Sequence, residues 1–102
     1  MVVEWLKVKV EAEHRLTYIE VDEAIWTPAL AACDGFLDKE VWLDAQYPDQ
    51  VIVIIHWQTK EQWHSIDPGY LNQVEQKFQQ TFAQPNEIIE TRDYTLVTNP
   101  PL

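Results

Sequence analysis

The sequence predicts an α+β fold with the ferredoxin-like element order strand, helix, strand, strand, helix, strand. Three observations predict it: a hydrophobic period of two at the start of the chain, two stretches with the helical period, and a run of strand-forming residues at 51–57. Right-handed crossovers place both helices on one face of a four-stranded antiparallel sheet. A chain of 102 residues has the size of one domain, and we expect residues 1–102 to form a single domain.

The first elements are a strand and a helix. Residues 2–10 alternate as a half-buried strand does, and residues 13–33 carry apolar side chains three or four positions apart. Pro28 either kinks this helix or restarts it with Thr27 as a cap. Gly35 stops it, because glycine takes the left-handed conformation without a Cβ penalty. The predicted apolar face comprises Leu16, Ile19, Trp26, Leu30 and Cys33.

A hairpin of residues 36–44 and 51–57 follows, joined through a turn at 47–49. The second of these strands is apolar on both faces. One face carries Val51, Val53, Ile55 and Trp57, and the other carries Ile52, Ile54 and His56. Two helices cover only one face of the sheet, so we expect an identical subunit to cover the other and form a homodimer.

Helical signals return after the hairpin. Residues 59–62 match a capping box that opens a short helix, and the Asp-Pro pair at 67–68 starts a longer one. Pro85 ends that helix, residues 88–97 form the last strand, and residues 98–102 are predicted to be a loose tail. The apolar stripe of the longer helix comprises Leu71, Val74, Phe78 and Phe82.

The composition of the chain argues against several classes of binding partner. Seventeen acidic residues stand against seven basic ones, so the formal net charge is −10. Such a surface repels phosphates, which predicts no nucleic acid and no anionic membrane as partners. The single cysteine, Cys33, permits neither an intramolecular disulfide nor a thiolate metal cluster, and we expect a cytoplasmic protein. No stretch approaches the roughly 18 apolar residues of a membrane span.

Two His/Trp pairs are the first candidates for chemistry. His56 and Trp57 are adjacent in a strand and therefore face different environments. Trp57 either stacks on a flat aromatic ligand or plugs the end of the core. His56 acts as a base in a dry cavity or bonds across the dimer seam. On the short helix, His64 follows Trp63 and shares a face with Glu61, but the spacing matches no recognised zinc or iron pattern, so we expect no metal.

The chain is also rich in aromatic residues, with five tryptophans among them. They either build an apolar pocket for a planar substrate or simply fill a small core. We take Trp26, Trp42, Trp63 and Phe78 as the candidate substrate-binding residues. A covalent nucleophile is not expected, because Ser65, the only serine, lacks a nucleophile elbow and Cys33 ends an apolar helix face.

The segments "CDGFLDKEVWLD" (33–44) and "VIVIIHWQTKEQWHSI" (51–66) resemble the antibiotic biosynthesis monooxygenase-like domains of the dimeric α+β barrel superfamily. The resemblance rests on the glycine and phenylalanine at 35–36, on Glu40 and Trp42 in the second strand, and on the Trp-x-Thr-x-Glu motif at 57–61. It extends over about residues 2–97 and looks closest to a cyanobacterial branch, for which no activity is implied.

The resemblance implies a homodimer with a cavity between sheet and helices in each subunit. Characterised members oxygenate aromatic polyketides with molecular oxygen and no metal or flavin, degrade haem, or act on signalling quinones. The oxygenases commonly rely on an asparagine, a tryptophan and a histidine or tyrosine. Trp57 matches the tryptophan, and His64 is a loose match for the histidine. The asparagine has no match, because the corresponding positions are apolar or charged and Asn72, Asn86 and Asn99 lie elsewhere.

Two functions of different classes remain open. The first is a cofactor-independent monooxygenase, in which deprotonation of a planar aromatic gives an electron-rich carbanion that a dry cavity stabilises. Trp57 would hold the ring, and His56 or His64 would be the base. The second is a non-catalytic homodimeric binding or stress-response domain for a small apolar ligand. The missing asparagine favours the second, and the resemblance favours the first.

Overall fold

The computed structural model describes residues 1–98 and confirms the predicted ferredoxin-like α+β fold. The four strands form one antiparallel sheet in the order β2-β3-β1-β4. They are β1 (Val2–Val10), β2 (Phe36–Leu43), β3 (Gln50–Trp57) and β4 (Asn86–Thr95), and the helices are α1 (Arg15–Ala31), α2 (Lys60–His64) and α3 (Pro68–Phe82). Within residues 1–98 no helix is both long and apolar enough to span a membrane. Most of the predicted tail, residues 99–102 with Asn99, lies outside the described residues.

Local signals fix the ends of the helices as the sequence predicts. Gly35 follows α1 with a φ of +85°, and a Cβ at this position would lie 2.5 Å from the side chain of Gln62. Thr59 caps α2 by accepting a hydrogen bond from the Gln62 amide at 3.1 Å. Asp67 caps α3 in the same way through the Tyr70 amide at 3.2 Å. Each cap gives a hydrogen-bond acceptor to a backbone amide in the first turn of its helix, which stabilises the start of that helix.

Helix α1 runs without interruption through Pro28, so the predicted restart does not occur. Its buried residues include Tyr18, Asp22 and Ile25, whereas Leu16 is 66% exposed. The prediction for Leu16 is wrong because it lies two residues, about 200° of helical rotation, from Tyr18. The buried face of α1 is therefore set by Tyr18 and Ile25, and it carries a carboxylate between them.

The main core lies between α1, α3 and the helix-facing side of the sheet. Val8, Val53 and Ile55 are buried there beneath Phe78 and Phe82, as the stripe on α3 predicts. The ring of Tyr18 meets both phenylalanines edge to face, with centroids 5.2 and 5.3 Å apart.

No helix of the described part of the chain packs on the opposite side of the sheet. We call it the outer sheet face. Its residues are Val3, Trp5, Lys7, Asp38, Glu40, Trp42, Ile52, Ile54, His56, Glu90, Arg92 and Tyr94. Ile52 and Ile54 at its centre are nevertheless only 8% and 4% exposed. Longer neighbouring side chains shield them, with Lys7 and Arg92 packed over the ring of Trp5. The alternation of β3 thus separates two apolar surfaces, one on each side of the sheet.

Candidate functional site

A cavity of about 550 Å³ lies between the helix-facing side of the sheet and the helices. We call it the central cavity, and its volume falls in the range of small-molecule sites, about 300–1,000 Å³. Apolar strand residues and three tryptophans form much of its wall. The polar residues that line it are Glu4, Tyr18, Asp22, Lys39, Asn72, Glu75 and Asn86.

Glu4 places a carboxyl in the wall of the central cavity. It lies on β1 in the same alternation as Leu6 and Val8, and its Oε1 accepts a hydrogen bond from Trp57 Nε1 at 3.2 Å. Burial raises the pKa of Glu4, although the hydrogen bond from Trp57 partly opposes the rise. Once ionised, Glu4 is therefore a stronger base than a glutamate in water.

The ring of Trp57 is fully buried, with 0% exposure. Its neighbour Phe36 meets it edge to face at 5.9 Å between centroids. The indole therefore closes one end of the core, and its N–H orients Glu4 at the cavity wall. The sequence leaves two roles open for Trp57, which are to stack on a flat aromatic ligand or to plug the end of the core. Its full burial favours the second.

A buried ion pair joins helix α1 to strand β2 beside the cavity. Lys39 Nζ contacts Asp22 Oδ2 and also donates a hydrogen bond to Thr27 Oγ1 at 2.9 Å. The side chains of Lys39 and Asp22 are only 2% and 6% exposed. Burial raises the pKa of Asp22, while the charge of Lys39 opposes the rise. Removing one member of so deeply buried an ion pair is strongly destabilising, because the remaining charge has no partner.

Tyr18 adds a neutral hydroxyl to the cavity wall. Burial raises the pKa of Tyr18, and the negative charges of Asp22 and Glu75 raise it further. The phenol therefore keeps its proton over the whole physiological range and can donate a hydrogen bond to a ligand.

The predicted aromatic site residues separate into three places. Trp26, Trp57 and Trp63 line the central cavity. Phe78 lies in the core with 1% exposure and does not line the cavity. Trp42 is 52% exposed and pairs with Ile52 in register, which places it on the outer sheet face. The structure therefore does not bring Trp42 and Phe78 to the predicted pocket, because the sheet alternation and the α3 stripe direct them elsewhere.

Neither predicted histidine lines the central cavity. His56 lies on the outer sheet face, where its Nε2 is 2.8 Å from Glu40 Oε2 and 3.5 Å from Asp38 Oδ1. His64 is exposed on α2, and its ring packs against Trp63 at 4.7 Å between centroids. The sheet therefore separates His56 from Trp57 and the cavity, as their adjacency in β3 predicts.

Among residues 1–98, two groups of side chains bring donor atoms close enough to hold a metal ion. One is Asp38, Glu40 and His56, and the other is Glu11, Glu13 and His14. In each group the carboxylates are exposed and only the histidine is partly covered. Neither group lies in the central cavity.

The resemblance implies an asparagine on the first or third strand, and neither Asn72 nor Asn86 occupies such a position. In the structure, Asn72 lies on α3 and Asn86 begins β4, so neither is on the first or third strand. Both nevertheless line the central cavity. Asn86 exchanges two hydrogen bonds with Gln79, at 2.8 and 2.9 Å. Asn72 is exposed at the rim and is the asparagine amide more available to a ligand.

The buried carboxyl of Glu4 predicts a pH-dependent stability. A raised pKa means that the folded state binds this proton more tightly than the unfolded state does. Proton binding at Glu4 therefore stabilises the fold fully below pH 4.5, and this stabilisation is lost as the pH rises through the raised pKa. Glu4→Gln removes the charge but keeps an oxygen for Trp57 Nε1. We expect the difference in the free energy of unfolding, variant minus wild type, to be more positive at pH 7 than below pH 4.5. Urea unfolding at both pH values measures it, and no change with pH contradicts the prediction.

The fold matches solved structures over nearly the whole chain. An antibiotic biosynthesis monooxygenase of Deinococcus radiodurans, so described provisionally, is 19% identical, with a TM-score of 0.72 over 100% of this chain and 98% of that one. SnoaB, a cofactor-independent oxygenase from Streptomyces nogalater, is 14% identical, with a TM-score of 0.71 over 99% and 97%. A Bordetella bronchiseptica protein with the same provisional description is 13% identical, with a TM-score of 0.72 over 95% and 97%.

These likenesses define the class of fold. The chain has the ferredoxin-like α+β fold shared by proteins described as antibiotic biosynthesis monooxygenases, and the predicted resemblance is confirmed at that level. No protein-family model matches the chain, and no curated protein matches it either. At identities below one fifth the comparisons establish the fold, so the activity has to be argued from the cavity.

Proposed function

We propose that this protein is a cofactor-independent monooxygenase whose planar aromatic substrate occupies the central cavity. The observation that carries the proposal is a carboxyl with a raised pKa, that of Glu4, in the wall of a largely apolar cavity between sheet and helices. The shared fold of SnoaB, a cofactor-independent oxygenase, supports the same class of reaction.

The chemistry requires a substrate whose activated carbon is acidic. A base removes one proton and leaves a carbanion that the aromatic rings delocalise, and this carbanion then reduces dioxygen. Overall, a methylene carbon and one O₂ give a carbonyl and one water: four electrons pass from carbon to dioxygen, one oxygen atom enters the product, and the two hydrogens leave in the water. The apolar wall favours the delocalised carbanion over a localised charge.

Glu4 is the proposed base. It lies in the wall of the cavity, Trp57 orients one of its oxygens, and burial makes it hold a proton more tightly than an exposed glutamate does. The neutral hydroxyl of Tyr18 lies in the same wall and can donate to a substrate oxygen. This assignment replaces the two histidines, which lie outside the cavity.

The activity test uses anthrone, a three-ring aromatic ketone with one acidic methylene. We expect the wild type to accelerate dioxygen uptake and anthraquinone formation above the spontaneous rate, as measured with an oxygen electrode and by absorbance. Glu4→Gln should lower kcat by about 10²- to 10⁴-fold, the usual contribution of a general base. His64→Gln is the matched control and should keep the wild-type rate. Loss of activity in the histidine variant with full activity in Glu4→Gln would return the role of base to His64.

We also propose that the protein forms a homodimer through the outer sheet face. Trp42 and Tyr94 expose about half of their surface there, at 52% and 48%, where Trp42 pairs with Ile52 and Tyr94 pairs with Val3. Such a patch on a small domain is typical of an interaction surface, and sheet-to-sheet packing buries it.

The dimer is tested by native mass spectrometry and sedimentation. The wild type should run as a dimer and Trp42→Glu as a folded monomer, because the change replaces a large exposed apolar side chain of this face with a carboxylate that would have to lose its hydration on packing. Leu16→Glu, an exposed change on α1, should leave the dimer intact. A monomeric wild type contradicts this proposal.

The second candidate is a non-catalytic binding domain for a small apolar ligand. The full burial of Trp57 and the pairing of Asn86 with Gln79 favour it, since both groups already have partners within the chain. Binding of an aromatic ligand in the central cavity without dioxygen uptake for any ligand tested would select this candidate.

A further inference from the structure

We propose that the central cavity selects planar aromatic ligands that carry a positive charge and discriminates against aromatic carboxylates. The inference rests on the proposed function only in that the ligand occupies the same cavity. It concerns the charge that the ligand brings into the cavity. The proposed reaction adds none, because the carbanion forms as Glu4 takes up the proton.

The first argument is the balance of charged groups around the cavity. Three carboxyls, of Glu4, Asp22 and Glu75, line it together with a single cation, Lys39, among the described residues. Lys39 is already committed, because it contacts Asp22 and donates to Thr27. Among residues 1–98, no second cation lines the cavity to pair with Glu4 or with Glu75, which is exposed and accepts a hydrogen bond from Gln79 Nε2 at 2.7 Å.

The second argument is the effect of these charges on neighbouring groups. After burial, the charges of Asp22 and Glu75 are the next causes that raise the pKa of Tyr18. Burial is the main cause of the raised pKa of Asp22, and the charge of Glu75 adds a smaller contribution in the same direction. These two contributions have the direction expected of repulsion between negative charges, and a ligand carboxylate beside Asp22 and Glu75 would meet the same repulsion.

The third argument is the aromatic wall. Trp26 and Trp63 line the cavity and are only partly buried, so they retain surface for a ligand. An indole attracts a cation through its π-face more strongly than the other aromatic side chains do. A flat cation would thus gain from stacking and from the carboxylates together. The net charge of −10 would also steer cations toward the protein.

The test compares two three-ring probes of similar size and opposite charge. The protonated form of 9-aminoacridine is a cation at pH 7, and anthracene-9-carboxylate is an anion. Isothermal titration calorimetry at low salt gives both dissociation constants. We expect one 9-aminoacridine per protomer, bound at least about tenfold more tightly than the carboxylate.

Variants assign the preference to the cavity. Glu4→Gln and Glu75→Gln should each weaken 9-aminoacridine binding several-fold and leave the carboxylate unchanged or tighter. Glu20→Gln is the matched control, because Glu20 is exposed on α1 and does not line the cavity. It should behave as the wild type.

The outcomes separate the two proposals. Equal affinities for the two probes, or an equal effect of Glu20→Gln and Glu4→Gln, overturn the charge preference, whereas anthrone turnover would still support the proposed function. Absence of binding for both probes overturns the charge preference and, with no anthrone turnover, the proposed function as well.

Discussion

Replacing Trp57 with alanine is expected to lower the free energy of unfolding by about 3 to 5 kcal/mol, the usual loss on truncating a buried tryptophan. The ring has 0% exposure and packs edge to face against Phe36, so its removal leaves a void that the sheet cannot close. It also removes the hydrogen-bond donor of Glu4. The total free energy of unfolding of a domain of this size is about 5 to 15 kcal/mol, so urea unfolding at fixed protein concentration would readily measure the loss.

Two variants control this result. Tyr47→Ala truncates an aromatic ring that is 52% exposed in the β2–β3 connection and should cost less than about 0.5 kcal/mol. Trp57→Phe keeps most of the ring volume and should lie between Tyr47→Ala and Trp57→Ala. A loss of less than 1 kcal/mol in Trp57→Ala would show that the ring lines open space, as the ligand-stacking alternative requires.

The second large effect concerns the buried ion pair. Lys39→Met is expected to lower the free energy of unfolding at pH 7 by about 3 to 5 kcal/mol, because it leaves Asp22 charged and unpartnered in the core. The penalty should shrink as the pH falls. Without Lys39, burial raises the pKa of Asp22 unopposed, so the folded variant binds its proton more tightly than the unfolded chain does. Urea unfolding at several pH values measures both effects.

The double variant Asp22→Leu/Lys39→Met is the control for that prediction. It replaces the pair with apolar side chains and should recover most of the lost stability, since buried ion pairs are often no better than an apolar replacement. If the double variant is as unstable as Lys39→Met, the loss comes from packing around Lys39 and the ion pair contributes little.

The fold could be predicted because its signals are local. The alternation of β1, the two apolar faces of β3, the caps at Thr59 and Asp67, and the turn at Gly35 each depend on residues a few positions apart. The ends of the last strand differ from the prediction: β4 spans Asn86–Thr95, whereas the sequence predicts residues 88–97. Pairing with β1 extends its start to Asn86, which residues 88–97 by themselves do not reveal.

The candidate site was only partly predictable, because its polar groups come from distant positions. Glu4 shares the alternation of Leu6 and Val8, and Asp22 lies four residues after Tyr18 and three before Ile25, so each pattern placed a carboxyl on a buried face. The sequence does not show that Asp22 meets Lys39, which is 17 residues away on β2. It likewise does not show that Asn72 and Asn86 converge on the cavity. The two His/Trp pairs made His56 and His64 candidates. The alternation of β3, however, places His56 on the outer sheet face, away from the central cavity.

The central claim is that a planar aromatic binds in the central cavity and not on the outer sheet face. The five tryptophans report on both places, since Trp26, Trp57 and Trp63 line the cavity while Trp5 and Trp42 lie on the outer sheet face. We would titrate ¹⁵N-labelled protein with 2-naphthol and follow the five indole N–H signals, assigned by single Trp→Phe variants. Shifts of the three cavity signals with the other two unmoved are the predicted result. Shifts confined to Trp5 and Trp42, or no shifts at saturating ligand, would contradict the account.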